Sequence, residues 1–258
     1  MSAEHTAALD VLAIAAHRDD VEQTCGGTLL KMAGAGARTG ILDLTQGELG
    51  SRGSAESRAT EATDAARILQ VTWREALDIP DGRVENNYAN RIKIARVIRE
   101  QRPRVVILPY WKGRHPDHYT CATLGYEACF LAGLRRLGHT AATQDIDSFE
   151  IHRLRNLEPH RPFKIVYATL YYDVRPTFVV DITAEFEAKL ESIYAYKEQY
   201  ADQAAGSKDF PAHAEIRERV ASMAHFYGML AGVKYGEPFF QKEVGLVEDL
   251  RVVPVQSI

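Results

Sequence analysis

The chain alternates between short, continuous apolar runs and longer segments whose apolar positions recur at helical spacing. Residues 10–16, D-V-L-A-I-A-A, are apolar almost throughout and of strand length. Such a run fits a strand buried on both faces of a parallel sheet. A polar loop follows, then Gly26-Gly27 and the helix-like T-L-L-K-M-A-G-A-G. Residues 39–45 predict a second strand, and Gly47, Gly50 and Gly53 punctuate the loop after it. Ala59, Ala62, Ala66 and Leu69 mark one face of a helix over 56–69. A short strand over 75–79 ends in the turn Pro80-Asp81-Gly82. Ile92, Ile94, Ala95, Val97 and Ile98 supply the buried side of a helix over 87–100.

Residues 104–109, R-V-V-I-L-P, predict a further buried strand, and Y-W-K-G-R-H-P-D-H forms the loop into a helix over 119–137. This rhythm implies βαβ units and a mostly parallel sheet. Residues 138–162 are polar, contain two prolines and read as a loop. Two later strands (164–171 and 177–181) and two long helices (184–200 and 212–230) complete the pattern. There is no repeat, low-complexity tract or linker, so residues 1–258 are expected to form one domain.

Composition narrows the function without naming it. Hydrophobic residues make up 46% and charged residues 26% of 258, the usage of an ordinary globular α/β chain. The net charge of −4 and pI of about 6.2 give no basic footprint for nucleic acid. Cys25, Cys121 and Cys129 show no C-x-x-C spacing. Their odd count argues against a disulfide framework and for a reducing cytoplasm. No signal-peptide pattern opens the chain, and no apolar run approaches the roughly 18 residues that span a bilayer.

The chemistry-bearing residues cluster where this architecture places sites. Open α/β sheets bind ligands beyond the carboxyl ends of their strands. His17, Asp19 and Asp20 follow the first strand, Glu48, Arg52 and Arg58 the second, Asp81 the third, and His115, Asp117 and His118 the fourth. A hydrolytic zinc site uses about three His, Asp or Glu ligands and keeps one position open. His17, Asp20 and His118 meet that need. Asp19 is then a spare carboxylate placed to take a proton from an activated water. His115 is placed to stabilise a tetrahedral intermediate or protonate a leaving amine, and Asp117 to fix a histidine tautomer.

Either motif alone is weak, because Asp and Pro also build solvated turns. Together, each after a buried strand, they favour a site. Gly26-Gly27 does not match G-x-G-x-x-G and reads as helix entry. Cys25, Cys121 and Cys129 read as small buried residues. His5, His139, His152, His160, His213 and His225 have no partnering pattern. Tyr110 and Trp111 border the second motif, as pocket wall or as packing.

These residues resemble a known family. A-H-R-D-D-V-E, G-G-T-L, D-L-T-Q-G-E-L-G-S-R-G and P-Y-W-K-G-R-H-P-D-H closely resemble the LmbE/PIG-L-like N-acetylglucosaminyl deacetylases. The chain is most similar to the bacterial N-acetylglucosaminyl-malate deacetylases of bacillithiol biosynthesis. E-S-R-A-T-E-A, L-D-I-P-D-G, P-H-R, A-Y-K-E-Q-Y and G-V-K-Y-G-E-P-F extend the likeness over nearly the whole chain.

The resemblance implies a Rossmann-like three-layer α/β sandwich and Zn2+, or another divalent ion such as Fe2+. It implies ligands at His17, Asp20 and His118, a general base at Asp19, oxyanion or acid chemistry at His115 and a supporting carboxylate at Asp117. Arg58 and Asp81 match positions that bind sugar hydroxyls, and Glu48 a position near substrate. Arg161 and Tyr196 match positions at the pocket mouth, Tyr196 as a mobile element. A small N-acetylated amino-sugar conjugate and homo-oligomers follow, with no nucleic-acid or membrane partner.

Arg18 departs from the family's usual Pro. It relaxes the loop and is expected to pair with an acid such as Glu22 or to reach an anionic substrate. Competing readings are a related deacetylase or amidase for another N-acyl sugar or thiol conjugate, and a Rossmann-like nucleotide-binding module.

Overall fold

The structure, a computed structural model, describes residues 8–50, 52–139, 148–169, 172–200, 213–253 and 255. β1 (Val11–Ala15), β2 (Thr39–Asp43), β3 (Trp73–Ala76), β4 (Val105–Pro109) and β5 (Lys164–Ala168) run parallel. α1 (Asp20–Gly34), α2 (Ala55–Ile68) and α3 (Tyr88–Gln101) connect the first four strands, and α4 (Pro116–Ala132) and α5 (Ser148–Arg155) lead into β5. β6 (Phe178–Asp181), α6 (Phe186–Tyr194), α7 (Lys197–Tyr200), α8 (His213–Leu230) and β7 (Gly236–Phe240) follow. β7 pairs antiparallel with both β5 and β6, giving one seven-stranded sheet in the order β3-β2-β1-β4-β5-β7-β6. The mostly parallel α/β sandwich expected from the sequence is observed.

β1 shows why the sheet has helices on both faces. Leu12, Ile14 and Ala16 point into one core with Ile92 and Ile98 of α3 and Leu124 and Ala128 of α4. Val11, Ala13 and Ala15 point into the other, with Val21, Cys25 and Leu29 of α1. Alternation along the strand therefore feeds two apolar layers. Leu12 is fully buried, so its truncation to Ala should cost about 2–5 kcal/mol. The chain runs outward from β1 to β3 and returns to β4. The strand order reverses between β1 and β4, and a crevice opens beyond their carboxyl ends.

Several elements differ from expectation. α1 starts at Asp20, before the glycine pair, and breaks at Cys25 (φ −142°). Distant residues make this start and break tolerable. Glu237 of β7 accepts hydrogen bonds from the Gly27 and Thr28 amides (2.9 and 2.7 Å). Lys189 of α6 donates to the Gln23 carbonyl (2.8 Å) and to Glu237 (2.5 Å). The orphan groups of both half-helices are thus satisfied across the fold. Gly27 also admits Ile182, whose side chain lies 2.9 Å from where a Cβ would sit.

β7 carries no clear strand signal in the sequence, since Pro238 in G-E-P-F-F argues against a central strand. α5 lies inside the expected loop, and its Ile151 and Leu154 bury against the α3 side of the core. β3 starts earlier than expected. The helix expected over 184–200 is two, α6 and α7, separated at 195–196. Residue 212 of the last expected helix, residues 170–171 of the expected strand and His5 lie outside the described residues.

Candidate active site

The carboxyl ends of β1 and β4 bring the two motifs together. His17 Nδ1 lies 3.2 Å from His118 Nε2 and 3.4 Å from Asp20 Oδ2, and His118 Nε2 lies 3.2 Å from Asp20 Oδ1. Two imidazoles and one carboxylate thus present donor atoms to one point. His115 stands beside them, its ring centroid 4.7 Å from His17 and 4.9 Å from His118. Among the described residues, His17, His115 and His118 form one group with metal-ligating geometry, and His17, Asp81 and Asp117 form another.

The far side of His17 is held by carboxylates. Its Nε2 lies 3.1 Å from Asp81 and 3.3 Å from Asp117. Asp117 is anchored by the Gly82 and Val84 amides (2.8 and 3.2 Å), and Asp81 by the Leu49 amide (2.9 Å). With its proton on Nε2, His17 turns the Nδ1 lone pair toward Asp20 and His118. Burial opposes charging His17, but hydrogen bonds to Asp20 and Asp81 push its pKa up to about 11. Without a bound cation, a proton on this ring balances the surrounding carboxylates. Asp81, held by His17, is lowered to about 2.

The adjacent carboxylates of Asp19 and Asp20 diverge. Burial would raise Asp20, but His118 and His17 hold it well below the usual range. Burial and the neighbouring Asp20 charge push Asp19 up to about 7. Asp19 also adopts a left-handed backbone (φ 96°) at the head of α1, an uncommon conformation for a residue with a side chain. Its Oδ2 accepts from Tyr200 (2.6 Å) and Gln23 (3.1 Å). With its amide oriented to satisfy both sides, Gln199 donates to Asp19 and accepts from Arg58.

His115 heads α4. Its Nδ1 accepts the Asp117 amide at 3.2 Å, which assigns its proton to Nε2. Burial, then the His17 and His118 charges, lower its pKa, so it is neutral at pH 7.

Arg58 is buried, donates to the Gly47 carbonyl (2.7 Å) and lies 3.9 Å from Asp19. Gly47 has φ +72°, and a Cβ there would collide with the guanidinium. Glu48 is exposed on the rim and accepts the Asp81 amide at 2.8 Å.

Tyr196 and Arg161 are not at the mouth. Tyr196 is fully buried and donates to Glu22 (3.0 Å). The residue one helical turn on, Tyr200, carries its hydroxyl to Asp19. Arg161 donates to the Phe130 carbonyl at the far end of α4 (3.2 Å) and stacks on that ring. That is about 18 Å of helix beyond His118. Arg18 is buried and donates to the Ala55 carbonyl (2.8 Å), not to Glu22, which is taken by Arg74 and Tyr196.

Tyr200, Gln199 and Gln23 were missed as site residues. The only sequence signal for the first two was their place in A-Y-K-E-Q-Y. Tyr110 and Trp111 pack with Tyr167, Tyr172 and Phe240.

The family described as PIG-L: GlcNAc-PI de-N-acetylase matches residues 12–129, a span that contains both motifs. The diacetylchitobiose deacetylase of Thermococcus kodakarensis is 30% identical over 239 residues, covering 88% of this chain and 80% of that protein. A conserved protein of Thermus thermophilus superposes with a TM-score of 0.77 at 34% identity, over 93% of this chain and 98% of that one. The N,N'-diacetylchitobiose deacetylase of Pyrococcus horikoshii, solved with an inhibitor, gives 0.74 at 26% identity, over 89% and 82%.

Proposed function

The chain belongs to the PIG-L/LmbE family of deacetylases, and from that premise we propose that it removes the N-acetyl group from an N-acetylglucosaminyl conjugate, with N-acetylglucosaminyl-malate of bacillithiol biosynthesis as the substrate. The observation that carries this reading is the convergence of His17 Nδ1, His118 Nε2 and the Asp20 carboxylate on one point, with the buried Asp19 carboxylate next to them in the chain.

The residues fit a divalent ion. His17, Asp20 and His118 supply the ligand set of a catalytic zinc site with an open position, and Asp81 and Asp117 orient His17 from behind. His115 spends one ring nitrogen on a backbone amide, which favours Asp20 over it as the third ligand. An ion held there supplies Lewis acidity toward the amide carbonyl and lowers the pKa of water.

This chain's own groups do the rest. Asp19 takes the proton of the water that attacks the carbonyl carbon. The His115 Nε2–H donates to the oxygen that gains charge. Asp19 then returns its proton to the nitrogen as the C–N bond breaks, and acetate and a free amine leave. Arg58 and Asp81, buried beside the cluster, and Glu48 on the rim are the polar groups that meet the sugar hydroxyls. The protein works as one domain and as a homo-oligomer in the cytoplasm; among the described residues no helix is long and apolar enough to cross a membrane.

A second reading, deacetylation of an N-acetylated disaccharide, is favoured by the likeness to the two archaeal enzymes. The test is acetate release from N-acetylglucosaminyl-malate, N,N'-diacetylchitobiose and free N-acetylglucosamine, with metal content measured on the same sample. The malate conjugate should have the highest kcat/KM. A faster disaccharide would transfer the assignment to the second reading, and no acetate from any of the three would end the deacetylation proposal.

A further inference from the structure

A pocket lies behind Asp20 and His118, between α1 and the sheet at the β1/β4 reversal. Its sheet side is Ala13 and Ala15 of β1, Ile107 of β4 and Ala168 of β5, and its helix side is Val21, Thr24 and Cys25. The space has a local cause. Ala13, Ala15 and Ala168 are small residues on a sheet face where Val11 and Val166 close the deeper end. Across from them, α1 breaks at Cys25.

Two environments of opposite polarity diverge from the metal-ligating cluster. Toward β2 and β3 lie Glu48, Arg58, Asp81 and Tyr200, all hydrogen-bonding groups. Toward β4 and β5 the wall is mainly hydrocarbon with a buried thiol; of its polar members, Thr24 spends its hydroxyl on the Asp20 carbonyl, and Tyr110 and Lys112 complete the lining. An N-acyl amino sugar has the same two-sided chemistry, with hydroxyls on the amine half and hydrocarbon on the acyl half. Reversing it would set most sugar hydroxyls against the alanine, isoleucine and valine side chains of this wall, where they lack hydrogen-bond partners, which is costly.

We infer that this pocket receives the acyl half of the scissile amide and that Cys25 and Ala168, on its facing walls, set the acyl length the enzyme accepts. The inference rests on the deacetylation reading and adds the specificity determinant to it. Each methylene that finds room should raise kcat/KM about fourfold, the equivalent of burying one CH2. Each one that does not should lower it.

The test compares N-acetyl, N-propionyl and N-butyryl forms of one glucosaminyl conjugate on the wild-type enzyme, Cys25→Ala and Ala168→Val. The butyryl-to-acetyl ratio of kcat/KM should rise several-fold in Cys25→Ala and fall several-fold in Ala168→Val. A ratio cancels any loss of folded enzyme. A ratio unmoved in both variants overturns the inference. The wild-type protein gives a second measurement that needs no variant, the inhibition constants of acetate, propionate and butyrate. They should change with chain length as the pocket fills, and length-independent inhibition would also overturn the proposal. If no sugar amide is cleaved but the dissociation constants of acetate, propionate and butyrate, measured by calorimetry, still track length, the deacetylation reading fails while the acyl pocket stands.

Discussion

Two buried polar networks sit side by side at the carboxyl ends of the strands, and they balance their charge differently. Around Arg74 on β3 the balance is internal, because two carboxylates, Asp43 and Glu22, face two guanidiniums, Arg74 and the neighbouring Arg18. The Arg74 guanidinium grips Asp43 through Nε and Nη2 (2.8 and 3.1 Å) and Glu22 through Nη1 (2.6 Å). The Tyr196 hydroxyl adds a bond to Glu22. Around His17 three carboxylates, Asp20, Asp81 and Asp117, face imidazoles that are neutral by default at pH 7. The first network carries its cations covalently, as arginines. The second is short of positive charge and borrows a proton to compensate, which is the condition of a site built for an exchangeable cation. A buried cluster is therefore better classified by whether its charges close than by how many acids it contains.

The sharpest way to break this contrast is Asp19→Asn. Turnover should fall about 10²- to 10⁴-fold, the usual contribution of a general base, while bound metal measured by elemental analysis stays near wild type. Retained turnover would remove Asp19 from the chemistry.

Arg74→Ala probes the closed network. It leaves Asp43 and Glu22 buried without the guanidinium that bonds them and should cost about 3–5 kcal/mol of unfolding free energy in urea. The surviving folded protein should still bind metal. A loss below 1 kcal/mol would mean that the network is not closed in the sense argued.

Asp117→Asn tests the support behind His17. Metal affinity should weaken about 10- to 100-fold, read by competition with a chelator. Unchanged affinity would show that the amides of Gly82 and Val84 are the main business of Asp117.

Over the pH range in which the protein is handled, close to 6.5, the smallest effect is in pH. In metal-free protein His17 is raised to about 11 from 6.5. Its stabilisation is therefore fully present below pH 6.5 and lost as pH rises toward 11. Asp19, raised to about 7 from 3.8, acts in the same direction at lower pH, because the folded state again holds the extra proton. The Tm of metal-free protein should fall as pH rises above 6.5, and the metal-loaded protein should lack that slope. Equal slopes would mean that the proton does not stand in for the ion.

Much of this was legible in the chain itself. Hydrophobic periodicity located β1, β2, α2, α3 and β4 closely, and α4 apart from its ends (119–137 expected, Pro116–Ala132 observed), because each buries one face or both faces in the core and so carries its own signal. The clustering of His17, Asp20, His115 and His118 also followed from sequence, since strand-end loops of a parallel sheet must meet at one edge. Local pattern was silent where the deciding partner is remote. The start and break of α1 depend on Glu237 and Lys189. β7 is a strand because β5 and β6 pair with it despite Pro238.

The same boundary runs through the site. Residue types and spacing determined which side chains have metal-ligating and proton-transfer chemistry, because that chemistry belongs to the side chains. Only the tertiary structure decided that Tyr200, not Tyr196, reaches Asp19, that Arg161 stands at the other end of α4, and that Arg18 caps a carbonyl of α2. It also decided that neighbouring Asp19 and Asp20 take opposite pKa shifts, since burial and charge depend on what the fold packs against each carboxylate and not on its place in the chain.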